Sequence, residues 1–302
     1  MTGQLTVLDT PSLWYRAFHG VPDTIVSPRG EPVHALRGTL DMLARLITDT
    51  RPARLVACLD ADWRPAFRVA AVPSYKLHRT LAGGAEDEPP TLGPQVAALL
   101  EVFAALGIAV VGCAGFEADD VIGSLAARES GPVDVVTGDR DLFQLVRSAG
   151  PVRVLYTVEK LKVYDEASVA EKYAIPGTGY AEFACLRGDP SDGLPGVKGI
   201  GDKTAAALIR RFQTVEAVLA ALDAGQQEGF TAGVWAKLAA GREYLTVAPA
   251  VSRLVRDLPL GILADALPLA PGNPEALALL AQRWGLSTSL DRLLTALALP
   301  RG

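Results

Sequence analysis

Nine carboxylates of this chain fall in short, separated groups, each where an apolar run ends: Asp9, Asp60, Glu117 with Asp119 and Asp120, Asp139 with Asp141, and Asp189 with Asp192. Carboxylates gathered in one place repel one another, so a fold that collects them must supply a compensating charge. Oxygen-only ligands select hard divalent ions, Mg²⁺ or Mn²⁺, which suit phosphate chemistry. The other metal-binding residue types argue for the same choice. His19, His34 and His78 are scattered, and Cys58, Cys113 and Cys185 form no CxxC pair, so a zinc site and a disulfide framework are both disfavoured and a reducing compartment is expected. Taken singly, Asp139-Arg140-Asp141, Asp189 or Asp192 reads as a turn or helix cap. Recurrence at the ends of successive runs is what favours a shared metal site.

Such acids need a scaffold that brings them to one edge. Residues 5–8, 55–59, 108–111, 133–136 and 152–155 are short apolar runs of the kind found in buried parallel strands. Between them, residues 35–48, 95–106 and 119–127 repeat apolar side chains at helical spacing, which predicts a doubly wound α/β sheet. Ligands of such sheets bind beyond the carboxyl ends of the strands. Asp9, Asp60 and Asp139 follow their runs directly or within three residues, so that edge should receive them. Glu117, Asp119 and Asp120 open a helix, where the positive end of the dipole favours acids. Residues 80–94, rich in Gly, Pro and acids, predict a mobile loop. From about residue 180 the pattern is helical, with candidates at 205–212, 215–222, 232–242 and 274–283.

One further stretch has a chemistry of its own, Gly196-Val197-Lys198-Gly199-Ile200-Gly201-Asp202-Lys203-Thr204-Ala205. A GxxxxGK[ST] phosphate loop needs Lys directly after the second Gly, and Asp202 intervenes; a GxGxxG dinucleotide loop needs another spacing and a preceding strand. What remains is a helix, a tight glycine hairpin and a second helix, whose backbone N–H groups can approach a phosphate while Lys198 and Lys203 add charge. A glycine turn joining two structural helices stays open as the plainer reading.

Length and composition set the frame. With 302 residues, 49% hydrophobic and 21% charged, the chain can bury a core sized for one large or two smaller domains. No apolar run approaches the roughly 20 residues of a membrane span, and the N-terminus lacks the pattern of a signal peptide, so a cytoplasmic protein without a membrane partner is expected. The net charge of −5 includes the nine clustered acids, which leaves the rest of the chain at +4. A polyanionic substrate is therefore compatible with it.

Several motifs in order carry a resemblance: Asp9 to His19 (DTPSLWYRAFH), Phe67-Arg68, Pro73 to Arg79 (PSYKLHR), Gly115 to Gly123 (GFEADDVIG), Thr137 to Asp141 (TGDRD) with Gln144-Leu145-Val146, and Gly188 to Gly193 (GDPSDG) with Pro195-Gly196. Together they resemble the bacterial 5′-nuclease family, comprising flap endonucleases and the 5′–3′ exonuclease domain of bacterial DNA polymerase I. The likeness runs to about residue 260. No polymerase region follows Gly302, so a stand-alone enzyme is expected.

The resemblance implies a PIN-like 5′-nuclease core with a parallel sheet over residues 1–172, with an arch or clamp at about 70–95. A helical region over 173–302 would contain a helix–three-turn–helix DNA-binding motif at about 184–212. It further implies a structure-selective 5′ nuclease that cuts branched or flapped DNA, and RNA-primed strands, during replication and repair by two-metal-ion catalysis. Carried over, Asp9, Asp60, Glu117, Asp119, Asp120, Asp139 and Asp141 would form an inner Mg²⁺ or Mn²⁺ site, with Asp189 and Asp192 the outer one. Lys76 would contact the scissile phosphate, with Arg16 and Arg68 as catalytic neighbours, and Tyr75 would stack on a terminal base. Arg64, Arg79, Lys198, Gly199, Gly201, Lys203 and Thr204 would contact DNA, and Ser191, Val197 and Ile200 match positions that can hold K⁺. A nucleoid-associated cytoplasmic location goes with this role.

The chain departs from the family in three places. Gly193 stands where Asn is usual, Asp62-Trp63-Arg64 where Lys or Gly is common, and the loop after Arg79 carries Glu86-Asp87-Glu88, which bears on how a free 5′ end would thread. Two other readings use part of the same set. A non-catalytic DNA-structure-binding protein would keep the hairpin but lose metal ligands, and an RNA-directed metal-dependent nuclease would keep the acids without needing the hairpin.

Overall fold

The five short apolar runs form parallel strands in the computed structural model, and four of them are largely buried on both faces, the third being partly exposed at the sheet edge. The structure describes residues 3–226 and 228–298; the outermost ends of the two expected regions, at residues 1–2 and 299–302, lie outside it. The strands are β1 (Leu5–Asp9), β2 (Arg54–Cys58), β3 (Ala109–Val111), β4 (Val133–Thr137) and β5 (Val152–Tyr156). A sixth, β6 (Lys162–Tyr164), pairs antiparallel with β5. The sheet order is β3-β2-β1-β4-β5-β6.

That order explains why acids distant in sequence meet. From β1 the chain builds outward through β2 to β3, then returns to the centre and builds the other way through β4 to β6. The boundary between β1 and β4 is therefore a topological switch point, where connections diverge and leave a crevice at the carboxyl edge. Asp9 ends β1, and Asp139 follows β4 by two residues, so one carboxylate stands on each side of it. Asp60 follows β2 by two residues on the same edge.

Helices cover both faces. α1 (Thr10–Gly20) and α2 (His34–Thr50) join β1 to β2, α3 (Ala66–Ala71) and α4 (Leu92–Leu106) join β2 to β3, and α5 (Ala118–Arg128) joins β3 to β4. After β6 come α6 (Glu166–Tyr173), α7 (Tyr180–Arg187), α8 (Asp202–Phe212), α9 (Val215–Asp223), α10 (Ala232–Ala240), α11 (Arg242–Val247) and α12 (Pro249–Ser252). The last two are α13 (Pro274–Trp284) and α14 (Ser287–Leu297). Successive strand residues face opposite ways. Val7, Val56 and Val135 join one core with α5, α7, α8 and α9, while Leu8, Leu55 and Val136 join another with α2, α4, α13 and α14.

Three details differ from the sequence reading. Leu92, Gly93 and Pro94, expected in a mobile loop, form the first turn of α4, where proline is tolerated because its missing N–H has no helical acceptor. The three residues of β6 are too few to show a period. α1, α3, α6, α11, α12 and α14 are not among the expected helices, although α14 buries Leu290, Leu293, Ala296 and Leu297 at helical spacing. Among the described residues no helix is long and apolar enough to cross a membrane.

Candidate active site

The switch point is laced together by short polar side chains. Asp9 caps α1, accepting the Ser12 N–H at 3.2 Å through one oxygen and the Thr137 hydroxyl at 2.6 Å through the other. The same Thr137 oxygen accepts the Asp139 N–H at 2.8 Å, and the Ser12 hydroxyl oxygen accepts the Gly138 N–H at 2.9 Å. Asp60 accepts the Ala118 N–H at 2.7 Å, which ties the end of β2 to the start of α5. Glu117 is the N-cap of α5 and is buried; it holds the Lys76 ammonium and accepts the Tyr75 hydroxyl at 2.7 Å.

Asp9, Asp60, Glu117, Asp119 and Asp139 wall one open cavity of about 660 Å³, together with Lys76, Arg79, Arg140 and Ser191. Lys76 is pinned there by its backbone, which sits in the left-handed region (φ 47) and donates its N–H to Asp192 O at 2.9 Å. Crowding shapes the titration. Burial and then the Asp60 and Asp139 charges push Asp9 up to about 7, against the hydrogen bonds from Thr137 and Ser12. Asp60 is exposed to solvent, yet enclosure by the cavity walls and the Glu117 and Glu86 charges raise it to about 6. Burial, then Asp9 and Asp139, lift Asp119 well above the carboxylate range. Burial works against the charge of Lys76, but Glu117, Tyr75 and Asp192 outweigh it and hold the ammonium protonated.

A second acidic group adjoins the first. Asp141 does not line the cavity; burial and the Asp139, Asp192 and Asp189 charges raise it well above the ordinary range, and one of its oxygens is buried without a partner. Asp141, expected with the inner group, thus feels the charges of Asp189 and Asp192 as well as that of Asp139. Asp189 accepts the Ser191 N–H at 2.9 Å, and Asp192, raised by burial, meets Arg79 at 3.3 Å. Gly193 (φ 72) explains one departure from the family pattern. The Ser74 carbonyl lies where any Cβ would stand, so an Asn has no room.

Four expected roles are changed by burial or direction. Asp120 is fully buried, forms a two-pronged pair with Arg68 at 2.7 and 2.8 Å, and accepts the Val255 N–H, which leaves nothing for a metal. Arg68 is 2% exposed and donates to Glu117, Asp120 and Val251 O, so it positions Glu117 and does not reach substrate. Tyr75 is 3% exposed with its hydroxyl on Glu117, and stacking on a base is closed to it. Arg16 does not line the acidic cavity but a neighbouring groove with His19 and Met42. Arg64 reaches the Tyr75 and Pro73 carbonyls at 2.6 and 3.0 Å, which braces the segment that carries Lys76. Arg79 bridges to Ser191 O at 2.6 Å.

Side chains not anticipated from sequence also line or support the cavity. Ser12 and Thr137 hold Asp9, and Tyr15 donates to Glu86 at 3.1 Å, so the acidic loop folds against the cavity wall with Asp87 beside it. The signal for Thr137 was a hydroxyl at a strand end two residues before an acid. The donor set fits a hard divalent ion, being all oxygen with one orphaned Asp141 oxygen. Among the described residues no three acidic, His or Cys side chains stand within grasp of one ion as placed. Ligation requires these carboxylates to rotate.

The hairpin follows the Asp189–Leu194 turn, to which the Lys76 backbone is bonded. Gly196 (φ 64) packs directly on the backbone of Arg187 and Gly188, where a side chain would clash, and Gly199 (φ 80) makes the second bend. Val197 and Ile200 are buried and anchor it, while Lys198, Gly199, Gly201 and Lys203 are exposed. Gly201 caps α8 without a side chain, and Thr204 donates its N–H to Gly201 O. Among the described residues the N–H groups of Lys198, Gly199 and Gly201 find no acceptor. Two of the groups expected to hold K⁺ also bond within the protein: the Ser191 hydroxyl donates to Asp189, and Val197 O accepts the Ile200 N–H.

Comparison with known proteins gives the same outline. Residues 4–174 match the model of the 5′-3′ exonuclease N-terminal resolvase-like domain, and residues 175–275 that of the 5′-3′ exonuclease C-terminal SAM fold. The chain is 54% identical over 299 residues to a 5′-3′ exonuclease of Streptomyces coelicolor, covering 96% of this chain and 99% of that one. To a 5′-3′ exonuclease of Mycobacterium tuberculosis it is 46% identical, covering 98% of each. The bacteriophage T5 flap endonuclease, solved as a pseudo-enzyme-product complex with DNA and metal ions, shares the fold at a TM-score of 0.63 and 17% identity, over 98% of this chain and 100% of that one.

Proposed function

The chain belongs to the 5′-3′ exonuclease family, and on that premise we propose that it is a metal-dependent 5′ nuclease that hydrolyses phosphodiester bonds at 5′ ends and 5′ flaps of branched DNA. One observation carries the reading. Five carboxylates from four separate segments, Asp9, Asp60, Glu117, Asp119 and Asp139, wall a single cavity with Lys76 among them. Asp9, Asp60, Glu117, Asp119 and Asp139 would hold one Mg²⁺ or Mn²⁺, and Asp141, Asp189 and Asp192 a second. When bound, two such ions supply an activated water and neutralise the phosphate and the leaving oxygen.

This chain's own residues supply the rest. Lys76 places a fixed positive charge where the phosphate gains negative charge on its way to five-coordination, and its pairing with buried Glu117 keeps it from swinging away. Arg79 and Arg140 line the same cavity and meet the flanking phosphates. The hairpin binds the duplex backbone through exposed N–H groups and holds the substrate on the protein, while Lys76 and the acids set the position of the scissile phosphate. Flap and RNA-primed strands as substrates, work in replication and repair, and a cytoplasmic, nucleoid-associated location complete the proposal.

The direct test is cleavage of an end-labelled 5′-flap duplex by the full chain with Mg²⁺, with Mn²⁺ and with chelator. A short product released only with metal is expected. Intact substrate under all three conditions would sink the reading.

A further inference from the structure

Lys237 belongs to α10, a helix with no expected part in catalysis or binding, yet its ammonium donates to the Gly199 carbonyl at 3.0 Å. The contact is built from more than one side. The stem of Lys237 lies across the open face of Gly199, where a Cβ would stand 2.9 Å from Cε and 3.4 Å from Cδ. Below it, Gly241 at the end of α10 packs on the Val197 side chain, with a virtual Cβ 3.0 Å from Cγ1. Trp235 meets Phe230 edge to face at 5.3 Å, and Phe230 stacks on Phe212 at the end of α8, so α10 is fixed to the helix that follows the hairpin. Leu238, next to Lys237, is fully buried and sets the helix rotation.

The hairpin's exposed rim alternates groups of opposite demand. The N–H groups of Lys198, Gly199 and Gly201 seek an acceptor, whereas the Gly199 carbonyl is itself an acceptor. A phosphate that takes the N–H bonds brings its oxygens toward that carbonyl, and two acceptors facing one another need a donor or a cation between them, the cation being the stronger partner of a phosphate. Lys237 already stands on the carbonyl. We propose that the Lys237 ammonium is the hairpin's built-in cation, bridging the Gly199 carbonyl and a DNA phosphate, so that this module binds duplex without a bound monovalent ion. The inference rests on the reading of the hairpin as a phosphate-binding element.

The test measures binding of a fluorescent 5′-flap duplex by anisotropy, in chelator so that nothing is cut. Potassium acetate is compared with tetramethylammonium acetate at equal ionic strength, the organic cation being too large to sit on a carbonyl. Wild type should bind alike in both, within about twofold. Lys237→Met keeps the stem over Gly199; it should bind roughly tenfold more weakly in tetramethylammonium, recover much of this in potassium, and lower the salt slope by about one. Lys237→Arg should restore cation independence. Lys198→Met, whose side chain touches no hairpin carbonyl, should weaken binding equally in both salts. Thermal melting of Lys237→Met within a degree or two of wild type separates the role from a folding defect. If wild type needs potassium as much as Lys237→Met does, or if Lys237→Met binds like wild type in both salts, the proposal is overturned. Failure of wild type to bind in either salt would instead remove the phosphate-binding reading beneath it.

Discussion

At the carboxyl edge of the sheet every working atom belongs to a side chain, while at the hairpin the groups turned outward are mostly backbone N–H with lysines beside them. The edge concentrates negative charge around one open cavity, and the hairpin spreads positive charge over an exposed rim. The two are joined at the Asp189–Gly193 turn, where Lys76 N–H bonds to Asp192 O and Ser74 Oγ bonds to Gly193 O. A phosphate held by backbone can be met by any sequence, which suits a module that recognises DNA shape. Bond cleavage instead depends on side-chain identity, atom by atom. Substitutions should therefore separate cleavage from binding cleanly, in opposite directions at the two places.

The largest expected effect breaks the edge alone. Asp139 stands between the two acidic groups, its charge raising Asp9 and Asp119 on one side and Asp141 on the other. Asp139→Asn keeps the shape but removes a ligand of the first proposed ion, and with it the charge that neighbours the second group. Single-turnover cleavage of a 5′ flap should fall by ~10³-fold or more, with flap binding in chelator within about twofold of wild type. Equal loss of both would show that the acids serve folding and not chemistry.

The converse substitution is Gly199→Ala. At φ 80 an L side chain is strained by about 1–2 kcal/mol, and its methyl would displace the Lys237 stem. Flap binding should weaken by roughly tenfold, whereas the single-turnover rate at saturating enzyme stays within about twofold. A fall in that saturating rate comparable to the loss of affinity would mean that the hairpin also aligns the phosphate with the acids, and the division would need redrawing.

How much of this was legible in the sequence follows the same division. Asp9, Asp60 and Asp139 were readable because apolar runs end beside them, and a parallel sheet places such ends on one edge. Asp119 and Asp120 are neighbours of the same type, but one residue turns a helix by about 100°. That rotation sends Asp119 into the cavity and Asp120 into the core, where Arg68 meets it. Only a partner 52 positions away reveals the difference, and a local motif cannot contain it. Tyr75 and Lys76 were read as a pair facing DNA, yet only Lys76 lines the cavity. Lys237 carried no sequence signal at all. Its meaning comes from a helix packing 38 positions downstream of Gly199.

The smallest expected effect sharpens the comparison through pH. Asp9 at about 7 and Asp60 at about 6 lie above the ordinary aspartate value of 3.8, so the folded, metal-free chain holds protons that the unfolded chain releases. Stability from these groups is therefore present at low pH and is lost as pH rises through the window from about 4 to 7, the reverse of the usual salt-bridged aspartate. Metal requires the ionised form and competes with those protons. The gain in melting temperature on adding Mg²⁺ or Mn²⁺ should accordingly be slight near pH 5 and grow to a plateau above about pH 7.5, where a hundredfold excess over Kd contributes about 2.7 kcal/mol. Gly199→Ala should reproduce the whole profile, because the hairpin has no part in it, while Asp139→Asn should flatten it. A metal-induced shift that is constant from pH 5 to 8 would place the ions somewhere other than among these crowded acids.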